Sequence, residues 1–300
     1  MRIANLNGRA IAVRGTHEGL FGVDIAESSS GQFPPAAIDL TARIPEVVAW
    51  EASLKDSAFT IPITLPDLMT PIPNPAQIFA IGMNYADHAT EVNIDLPEVP
   101  AVFTKFASSL SGPTGRVRMP SDQVDWEVEL VAVIGAGGRN ISRYEALEHI
   151  AGYMIGQDLS DRKLQFAGGT ASQFSLGKSY EGFTPVGPWM TTADDISNPG
   201  NLTMTCSRQD QVLQSGTTKN LVFDLPYLVE HLSTVVELRP GDLIFTGTPD
   251  GVGFGRDPKE FLVAGDELVS TIEGLGELRQ TFVASNPLAD ETNEMELEHA

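Results

Sequence analysis

The chain alternates short apolar runs, rich in valine and isoleucine, with turns rich in glycine and proline. Residues 78–82, 124–134 and 242–247 are examples of such runs. Runs of this length between turn residues are typical of β-strands buried on both faces. Beyond the N-terminal segment, convincing helices are few: one opens at Ser142 with a capping-box glutamate, and a second covers residues 221–232. The pattern predicts a mixed, β-dominated α+β architecture.

The first 72 residues predict a small α/β module. Residues 9–13 and 19–25 predict short strands, and residues 44–51 predict a helix with proline in its first turn. A connector punctuated by four prolines follows. We therefore expect three parts along the chain, namely an N-terminal domain over 1–72, a larger catalytic domain over 73–287 and an acidic, disordered tail over 288–300.

Charge restricts the possible partners. The formal net charge is −21, from 40 acidic and 19 basic side chains. This balance argues against a nucleic-acid groove, which needs lysine and arginine to neutralise phosphates, and against anionic membrane surfaces. No apolar run approaches the roughly 18 residues of a membrane span, the N-terminus has no secretory apolar region, and Cys206 is the only cysteine. These features predict a cytoplasmic protein.

Glu127 and Glu129 are the first candidates for chemistry, because they alternate within the predicted strand 124–134. Side chains two residues apart point to the same face of a strand, so the two carboxylates should lie side by side. Two like charges about 4 Å apart repel by roughly 4 kcal/mol at an effective dielectric near 20. A buried pair must take up a proton or meet a cation. The alternative is a solvated strand face that carries two acids without a function.

Asp158 offers a third carboxylate, since it lies just past the predicted strand 151–156. With Glu127 and Glu129 it could complete an all-oxygen site. Hard oxygen donors suit Mg²⁺, with Mn²⁺ or Ca²⁺ as substitutes. Taken alone, Asp158 is more typical of a turn residue or a helix cap.

His88 and Glu91 are three residues apart, so they would be neighbours on one helical turn. A carboxylate beside an imidazole holds its tautomer and raises its basicity, which suits the activation of water. The alternative is an exposed pair of polar helical residues.

Further polar groups follow Asp158. Arg162 could clamp a substrate carboxylate with two hydrogen bonds, Lys178 could stabilise an oxyanion or move a proton, and Gln165 lies between them in sequence. The glycine-rich turn 246–253 could bring backbone close to a ligand. Taken singly, each is more typical of a surface residue or an ordinary tight loop.

Several short motifs occur in a characteristic order: Gly82-Met83-Asn84-Tyr85 with His88 and Glu91, Phe103-Thr104-Lys105, Asp125 to Leu130, Ala151-Gly152-Tyr153, Asp158 to Arg162 with Gln165, Gly177-Lys178-Ser179, Gly187-Pro188-Trp189, Arg239 to Asp242, and the turn 246–253. Each motif is weak alone. Their order and spacing resemble the fumarylacetoacetate hydrolase family over nearly all of residues 77–283, and most closely its bacterial acylpyruvase-like and 2,4-diketo acid hydrolase-like members.

The resemblance implies a β-roll of mixed sheets, preceded here by the N-terminal module and assembled as a homodimer. It implies a divalent metal, typically Mg²⁺, on Glu127, Glu129 and Asp158. It implies that a lid segment carries His88 and Glu91 as a water-activating dyad. It also implies a substrate site, whose lining residues would be Tyr85, Arg162, Gln165, Lys178 and Thr248.

We therefore expect metal-assisted hydrolysis of a carbon–carbon bond in a β-diketo acid. The substrate would be an acylpyruvate or a sugar-derived 2,4-diketo acid, and pyruvate or a related 2-oxo acid would be released. Decarboxylation of oxaloacetate or isomerisation of a dienoate, both within the same family, is the alternative. A non-catalytic calcium-binding β module is a more distant one.

Overall fold

The computed structural model describes residues 1–17, 19–91 and 96–285, and it describes residues 88–90 by their backbone alone. The predicted tail 288–300 lies outside these ranges. The strands are β1 Arg2–Leu6, β2 Arg9–Thr16, β3 Gly19–Asp24, β4 Ile61–Ile63, β5 Leu68–Met69, β6 Ile78–Gly82, β7 Ala101–Thr104, β8 Leu110–Ser111, β9 Thr114–Met119, β10 Val124–Asp125, β11 Val128–Ile134, β12 Ile150–Gln157, β13 Ser160–Asp161, β14 Thr184–Thr192, β15 Thr203–Arg208, β16 Gln211–Thr217, β17 Leu243–Phe245, β18 Glu267–Ile272 and β19 Gly276–Ala284.

Helices are short and few by comparison. The α-helices are α1 Ile25–Ser28, α2 Ile44–Glu51, α3 Ala86–Glu91, α4 Arg162–Gln165, α5 Phe174–Gly177 and α6 Leu225–Val235. The 3-10 turns are Ala37–Arg43, Asp56–Ala58, Leu65–Asp67, Ala107–Ser109, Ala146–His149, Gly169–Ala171, Ala193–Asp195, Thr218–Asn220 and Gly253–Gly255. The predicted β-dominated, mixed architecture is confirmed. Within the described ranges, no helix is both long enough and apolar enough to cross a membrane.

One large mixed sheet dominates the described residues. Its strand order is β4-β3-β2-β1-β14-β12-β11-β17-β6-β7, with β5 paired to β1 and β8 paired to β14. A second sheet has the order β16-β15-β18-β19-β9, and β10 pairs with β13 as a small ribbon. The sheets are mixed because β17 runs parallel to β6 and β19 parallel to β9, while most other pairs are antiparallel.

Strand β11 lies at the centre of this fold, and every residue from Val128 to Ile134 is buried. Its side chains alternate between two apolar cores: Leu130 belongs to the core that includes the second sheet, whereas Val131 belongs to the core shared with the N-terminal strands. The expectation of a strand covered on both faces is therefore confirmed. Glu129 lies on this strand and is just as deeply enclosed.

The N-terminal module shares the large sheet with the rest of the chain. Strand β1 pairs antiparallel with β14, placing Arg2 opposite Thr191 and Ile3 opposite Met190. Hydrogen bonds of the main sheet therefore continue across the expected boundary near residue 72. The division into an N-terminal and a catalytic domain stays a prediction.

Three local predictions differ from the structure. The strand 124–134 is interrupted at residues 126–127, between β10 and β11. The helix expected from Ser142 is only a 3-10 turn at Ala146–His149, because the chain enters β12 at once. The second helix starts at Leu225 rather than at 221, because Asp224 caps it by accepting the Tyr227 N–H at 3.0 Å.

Candidate active site

Three buried carboxylates meet where β11 begins and β12 ends. The two strands are antiparallel with Val128 opposite Gln157, so Glu127 and Asp158 occupy neighbouring strand ends. The Asp158 N–H donates to the Glu127 carbonyl at 2.9 Å, which fixes this juxtaposition. Ligand atoms of Glu127, Glu129 and Asp158 all lie within 4.8 Å of one another. The structure thus brings together the three acids that the sequence singled out.

Three buried cations surround these acids. Lys178 Nζ lies 2.7 Å from Glu127 Oε2 and 2.7 Å from Asp158 Oδ2, so it bridges the two carboxylates. Lys105 donates to the other oxygen of Asp158 and, at 3.1 Å, to the Phe183 carbonyl. Charged groups removed from water in this way are tolerated only when they are paired and hydrogen-bonded.

Arg162 forms the third cationic contact, at the start of α4. Its Nη2 donates to Glu127 Oε1 at 2.6 Å, and its Nε donates to Asp125 Oδ2 at 2.8 Å. Its Nη1 donates to Gln165 Oε1 at 2.9 Å. The planar guanidinium therefore links two carboxylates and an amide, a role that a lysine could not reproduce.

Of the three carboxylates, Glu129 is the one whose negative charge these cations compensate least. Burial, the charge of Asp158 and the charge of Glu127 raise the pKa of Glu129 well above its ordinary value, against the opposing effects of Lys178 and the Gly247 N–H. By contrast, burial alone would lower the pKa of Lys178, but Asp158 and Glu127 outweigh it and hold that pKa above its usual range. Burial lowers the pKa of Lys105 despite its contact with Asp158. The cluster as it stands is short of positive charge at Glu129.

This donor set fits a hard dication. It consists of three carboxylates, with no sulfur or imidazole ligand among the described atoms that converge there. The raised pKa of Glu129 marks the position where added positive charge would be most stabilising. A divalent metal would therefore be held by Glu127, Glu129 and Asp158.

The glycine-rich turn after β17 organises the acids with its backbone. Three of its N–H groups donate to carboxylates: Gly247 to Glu129 at 2.7 Å, Gly251 to Glu91 at 2.9 Å, and Gly253 to Asp125 at 2.7 Å. Gly247 has φ +100°, and a Cβ there would lie 2.8 Å from the Asn84 Cβ. The backbone of this turn therefore approaches the protein's own carboxylates closely, and its approach to a ligand stays a prediction.

A cavity of about 130 Å³ opens directly over the cluster. Its polar lining consists of Glu127, Glu129, Asp158, Arg162, Gln165, Lys178 and Thr248. Its apolar lining consists of Ile81, Met83, Phe103, Phe166, Phe174, Val252 and Phe254. A few charged and polar groups thus lie in a pocket whose remaining wall is apolar, which is the usual composition of a small-molecule site.

The remaining predicted site residues are placed differently from one another. Thr248 lines the cavity, and its hydroxyl donates to the Val128 carbonyl at 2.9 Å. Tyr85 is fully buried with its hydroxyl 3.7 Å from the Met204 sulfur, and it is not among the residues that line the cavity. His88 belongs to α3, but its side chain lies outside the described part of the chain.

Sequence reasoning gave no role to Lys105, Asp125 or the cavity's phenylalanines. Lys105 and Asp125 both stand inside recognised motifs, so their positions were visible although their functions were not. Asp125 accepts N–H groups from Trp126, Gly253 and Phe254 as well as from Arg162. No local pattern announces the contacts with Gly253 and Phe254, because these two residues lie more than 100 residues from Asp125 in the sequence.

Comparison with known proteins agrees with this geometry. The sequence model of the family described as fumarylacetoacetate (FAA) hydrolase C-terminal matches residues 77–283. The chain belongs to the fumarylacetoacetate hydrolase family.

Individual relatives differ in their reactions. Oxaloacetate tautomerase fahd2, mitochondrial, from Xenopus laevis is 43% identical over 218 residues, which is 72% of this chain and 68% of the relative. The 2,4-didehydro-3-deoxy-L-rhamnonate hydrolase of Sphingomonas sp. is 40% identical over 84% of this chain and 90% of the relative. A solved maleylpyruvate hydrolase from Sphingobium sp. SYK-6, in complex with manganese(II) and pyruvate, superimposes with a TM-score of 0.78 at 31% identity, covering 95% of this chain and 100% of that chain.

Proposed function

We propose that this chain is a metal-dependent hydrolase that cleaves a carbon–carbon bond in a β-diketo acid. The observation that carries the proposal is the buried triad of Glu127, Glu129 and Asp158 at the base of the cavity, with Lys178 bridging two of its members. The relatives that hydrolyse a deoxy-diketo sugar acid and maleylpyruvate support it. Mg²⁺ is the proposed ion, with Mn²⁺ or Ca²⁺ as possible substitutes.

A dication held by the triad would act as a Lewis acid on the 2-oxo acid end of the substrate. Arg162 and Gln165 would orient the substrate carboxylate at the cavity wall. Lys178 uses two of its three N–H donors on Glu127 and Asp158, so the third would be available to a substrate oxygen. Lys178 would thereby stabilise negative charge that develops on the departing fragment.

His88 and Glu91 would activate water. Glu91 is held close to the site, because its Oε1 accepts the Gly251 N–H at 2.9 Å. Paired with this carboxylate, the His88 imidazole would take a proton from water as the oxygen adds to the distal carbonyl carbon. The carbon–carbon bond then breaks, its electrons remain on the 2-oxo fragment, and the proton is returned to that fragment. The products are one carboxylic acid and pyruvate or a related 2-oxo acid.

Oxaloacetate tautomerisation is the second candidate, favoured by the relative that is 43% identical. It would require only that a proton leave one atom of the 2-oxo acid and return to another. The same Lys178 would stabilise the charge, but no water would attack. Decarboxylation and dienoate isomerisation likewise need no attacking water.

Turnover by the purified protein separates these candidates. The panel comprises acylpyruvates, a sugar-derived 2,4-diketo acid and oxaloacetate, each assayed with Mg²⁺ and with a chelator. The proposal expects Mg²⁺-dependent release of pyruvate or a related 2-oxo acid, loss of that activity in His88→Ala, and retention in His231→Ala, a histidine stacked on Tyr227 in the surface helix α6. Oxaloacetate tautomerisation with every diketo acid inert would replace it with the second candidate. Metal binding with no turnover of any member would leave a binding module.

The homodimer, the cytoplasmic location and the lid segment remain predictions of the sequence. Residues 92–95 of that segment lie outside the described ranges.

A further inference from the structure

Four phenylalanine rings form a continuous arc along the cavity wall. The ring centroids of Phe103 and Phe174 are 5.7 Å apart, those of Phe174 and Phe166 are 6.1 Å apart, and those of Phe166 and Phe254 are 5.1 Å apart. The first two pairs meet edge to face and the third is stacked, as aromatic contacts prefer. We call Phe103, Phe174, Phe166 and Phe254 the aromatic arc.

The arc begins and ends at two of the three buried cations of the site. Lys178 Nζ lies 5.1 Å from the Phe103 ring centroid, and the Arg162 guanidinium carbon lies 5.7 Å from the Phe254 centroid. A 2-oxo acid held at Lys178 and Arg162 would therefore direct the rest of its carbon skeleton onto the rings. Among the described residues, the rest of the lining consists of Ile81, Gly82, Met83 and Val252, whose side chains offer no hydrogen bond, and of Gln165 and Thr248 beside the charged cluster.

The charges of the buried cluster, counted without Glu91, match one substrate carboxylate. Its described buried groups are four carboxylates, on Asp125, Glu127, Glu129 and Asp158, and three cations, on Lys105, Arg162 and Lys178. One negative charge is left over, so a bound dication gives the cluster one positive charge. Glu91, held beside the turn at Gly251, adds negative charge nearby. Beyond Arg162 and Lys178, the described lining residues offer a second substrate carboxylate no cation, and Lys259, whose Nζ lies 3.6 Å from the Phe254 ring centroid, is not among them.

We propose that this site selects acylpyruvates whose acyl tail is apolar, above all aryl, over substrates whose tail carries a carboxylate or several hydroxyls. This inference rests on the proposed function and specifies its substrate class. An aryl tail would pack against the arc and be removed from water. A carboxylate or polyhydroxyl tail would lose its hydration against the rings, which offer it no hydrogen-bond partner.

The first arm of the test compares kcat/KM with Mg²⁺ for four acylpyruvates, whose tails are phenyl, methyl, carboxyethyl and polyhydroxyalkyl. We expect the phenyl substrate to exceed the carboxyethyl and polyhydroxyalkyl substrates by about ten-fold or more. Equal or greater activity on either polar tail overturns the inference while leaving the proposed hydrolase intact. If every acylpyruvate is inert, the proposed function fails, and the second arm still decides the preference of the pocket.

The second arm measures binding without turnover, using 4-phenyl-2-oxobutanoate and 2-oxoglutarate as probes in the presence of Mg²⁺. We expect the phenyl probe to bind more tightly. Phe174→Leu should weaken the phenyl probe several-fold with little effect on 2-oxoglutarate, because it removes the ring at the centre of the arc. Phe174→Arg should favour 2-oxoglutarate, because it adds the missing cation.

Phe106→Leu is the matched control, since Phe106 is 50% exposed and does not line this cavity. Melting temperatures show whether each variant is folded, and Phe174→Leu serves where the arginine variant is not. The inference is overturned if 2-oxoglutarate binds the parent as tightly as the phenyl probe. It is equally overturned if Phe174→Leu and Phe106→Leu have the same effect on the phenyl probe.

Discussion

Replacing Glu129 by glutamine tests whether the carboxylate cluster is built to hold a dication. Glu129→Gln preserves the shape of the side chain and an oxygen to accept the Gly247 N–H, which now lies 2.7 Å away. It removes one of three negative charges whose ligand atoms lie within 4.8 Å of one another. The variant therefore changes charge while leaving the local hydrogen bonding in place.

The size of the effect follows from the geometry. At 4.8 Å and an effective dielectric near 20, a pair of carboxylates repels by about 3.5 kcal/mol. Glu129 has two such neighbours, and its raised pKa means that Lys178 does not compensate for them. Because Glu129 escapes part of the repulsion by binding a proton, we expect metal-free Glu129→Gln to melt at the parent's temperature or a few degrees above it.

With Mg²⁺ bound, the parent should melt at a higher temperature than Glu129→Gln. A ligand present at 100 times its dissociation constant stabilises the folded state by about 2.7 kcal/mol. With an unfolding entropy of about 2.1 cal/mol/K per residue over 300 residues, this corresponds to a rise of about 4 °C in the melting temperature of the parent. Glu129→Gln has lost a charged ligand, so its rise at the same Mg²⁺ concentration should be about 1 °C or less.

The assay is thermal unfolding followed by circular dichroism, first with chelator and then with increasing Mg²⁺. Glu148→Gln is the control, because it makes the same chemical change at an exposed position. A full Mg²⁺-dependent rise in Glu129→Gln would refute the assignment of the metal site. A metal-free variant that melts well below the parent would refute the claim that the three acids repel one another.

Three further outcomes are expected. The pKa of Glu129 is raised in the metal-free folded protein, so the folded state keeps a proton that the unfolded chain loses. The stability contributed by this site therefore falls as pH rises from the ordinary glutamate range towards the raised pKa. The Mg²⁺-dependent rise in melting temperature should grow with pH, and a rise independent of pH would contradict this. Gly247→Ala should destabilise the protein by about 2 kcal/mol or more in chemical denaturation and weaken Mg²⁺ binding, because its Cβ would meet Asn84. Gly8 also has a positive φ, but a Cβ there would have no atom within 4 Å, so Gly8→Ala should be less destabilising. Burial raises the pKa of Cys206 to about 12, so the thiol should react with a disulfide reagent at pH 8 only after unfolding, and rapid labelling of the native protein would count against its burial.

The sequence predicted those parts of the structure that depend on short-range periodicity. The unbroken apolar run from Leu130 to Ile134 indicated a strand covered on both faces, and it is one. The alternation of Glu127 with Glu129 placed both carboxylates in one cluster, even though the strand is interrupted at Glu127. Asp158 was a candidate because it lies just past the next predicted strand, and the antiparallel pairing of β11 with β12 places it beside Glu127.

The parts that could not be predicted depend on contacts between distant segments. Lys105 reaches Asp158 from 53 residues away, and the Gly253 N–H reaches Asp125 from 128 residues away. The aromatic arc likewise combines rings from β7, from the region of α4 and α5, and from the turn after β17. Periodicity reports which face of an element is apolar, but it does not report which elements the fold brings together at a cavity.

The charges of the site explain why metal and substrate should strengthen each other's binding. The described cluster has one more carboxylate than it has cations, so a dication alone reverses the sign of its charge and leaves a buried positive excess. A substrate with one carboxylate then brings these described groups to neutrality in a cavity whose wall is largely apolar, where unpaired charge is unfavourable. By thermodynamic linkage this coupling is reciprocal: the factor by which Mg²⁺ tightens a monoanionic 2-oxo acid equals the factor by which that acid tightens Mg²⁺. A dianion brings the complex to a net negative charge again, so the same electrostatics that assembles the metal site also favours substrates with a single carboxylate.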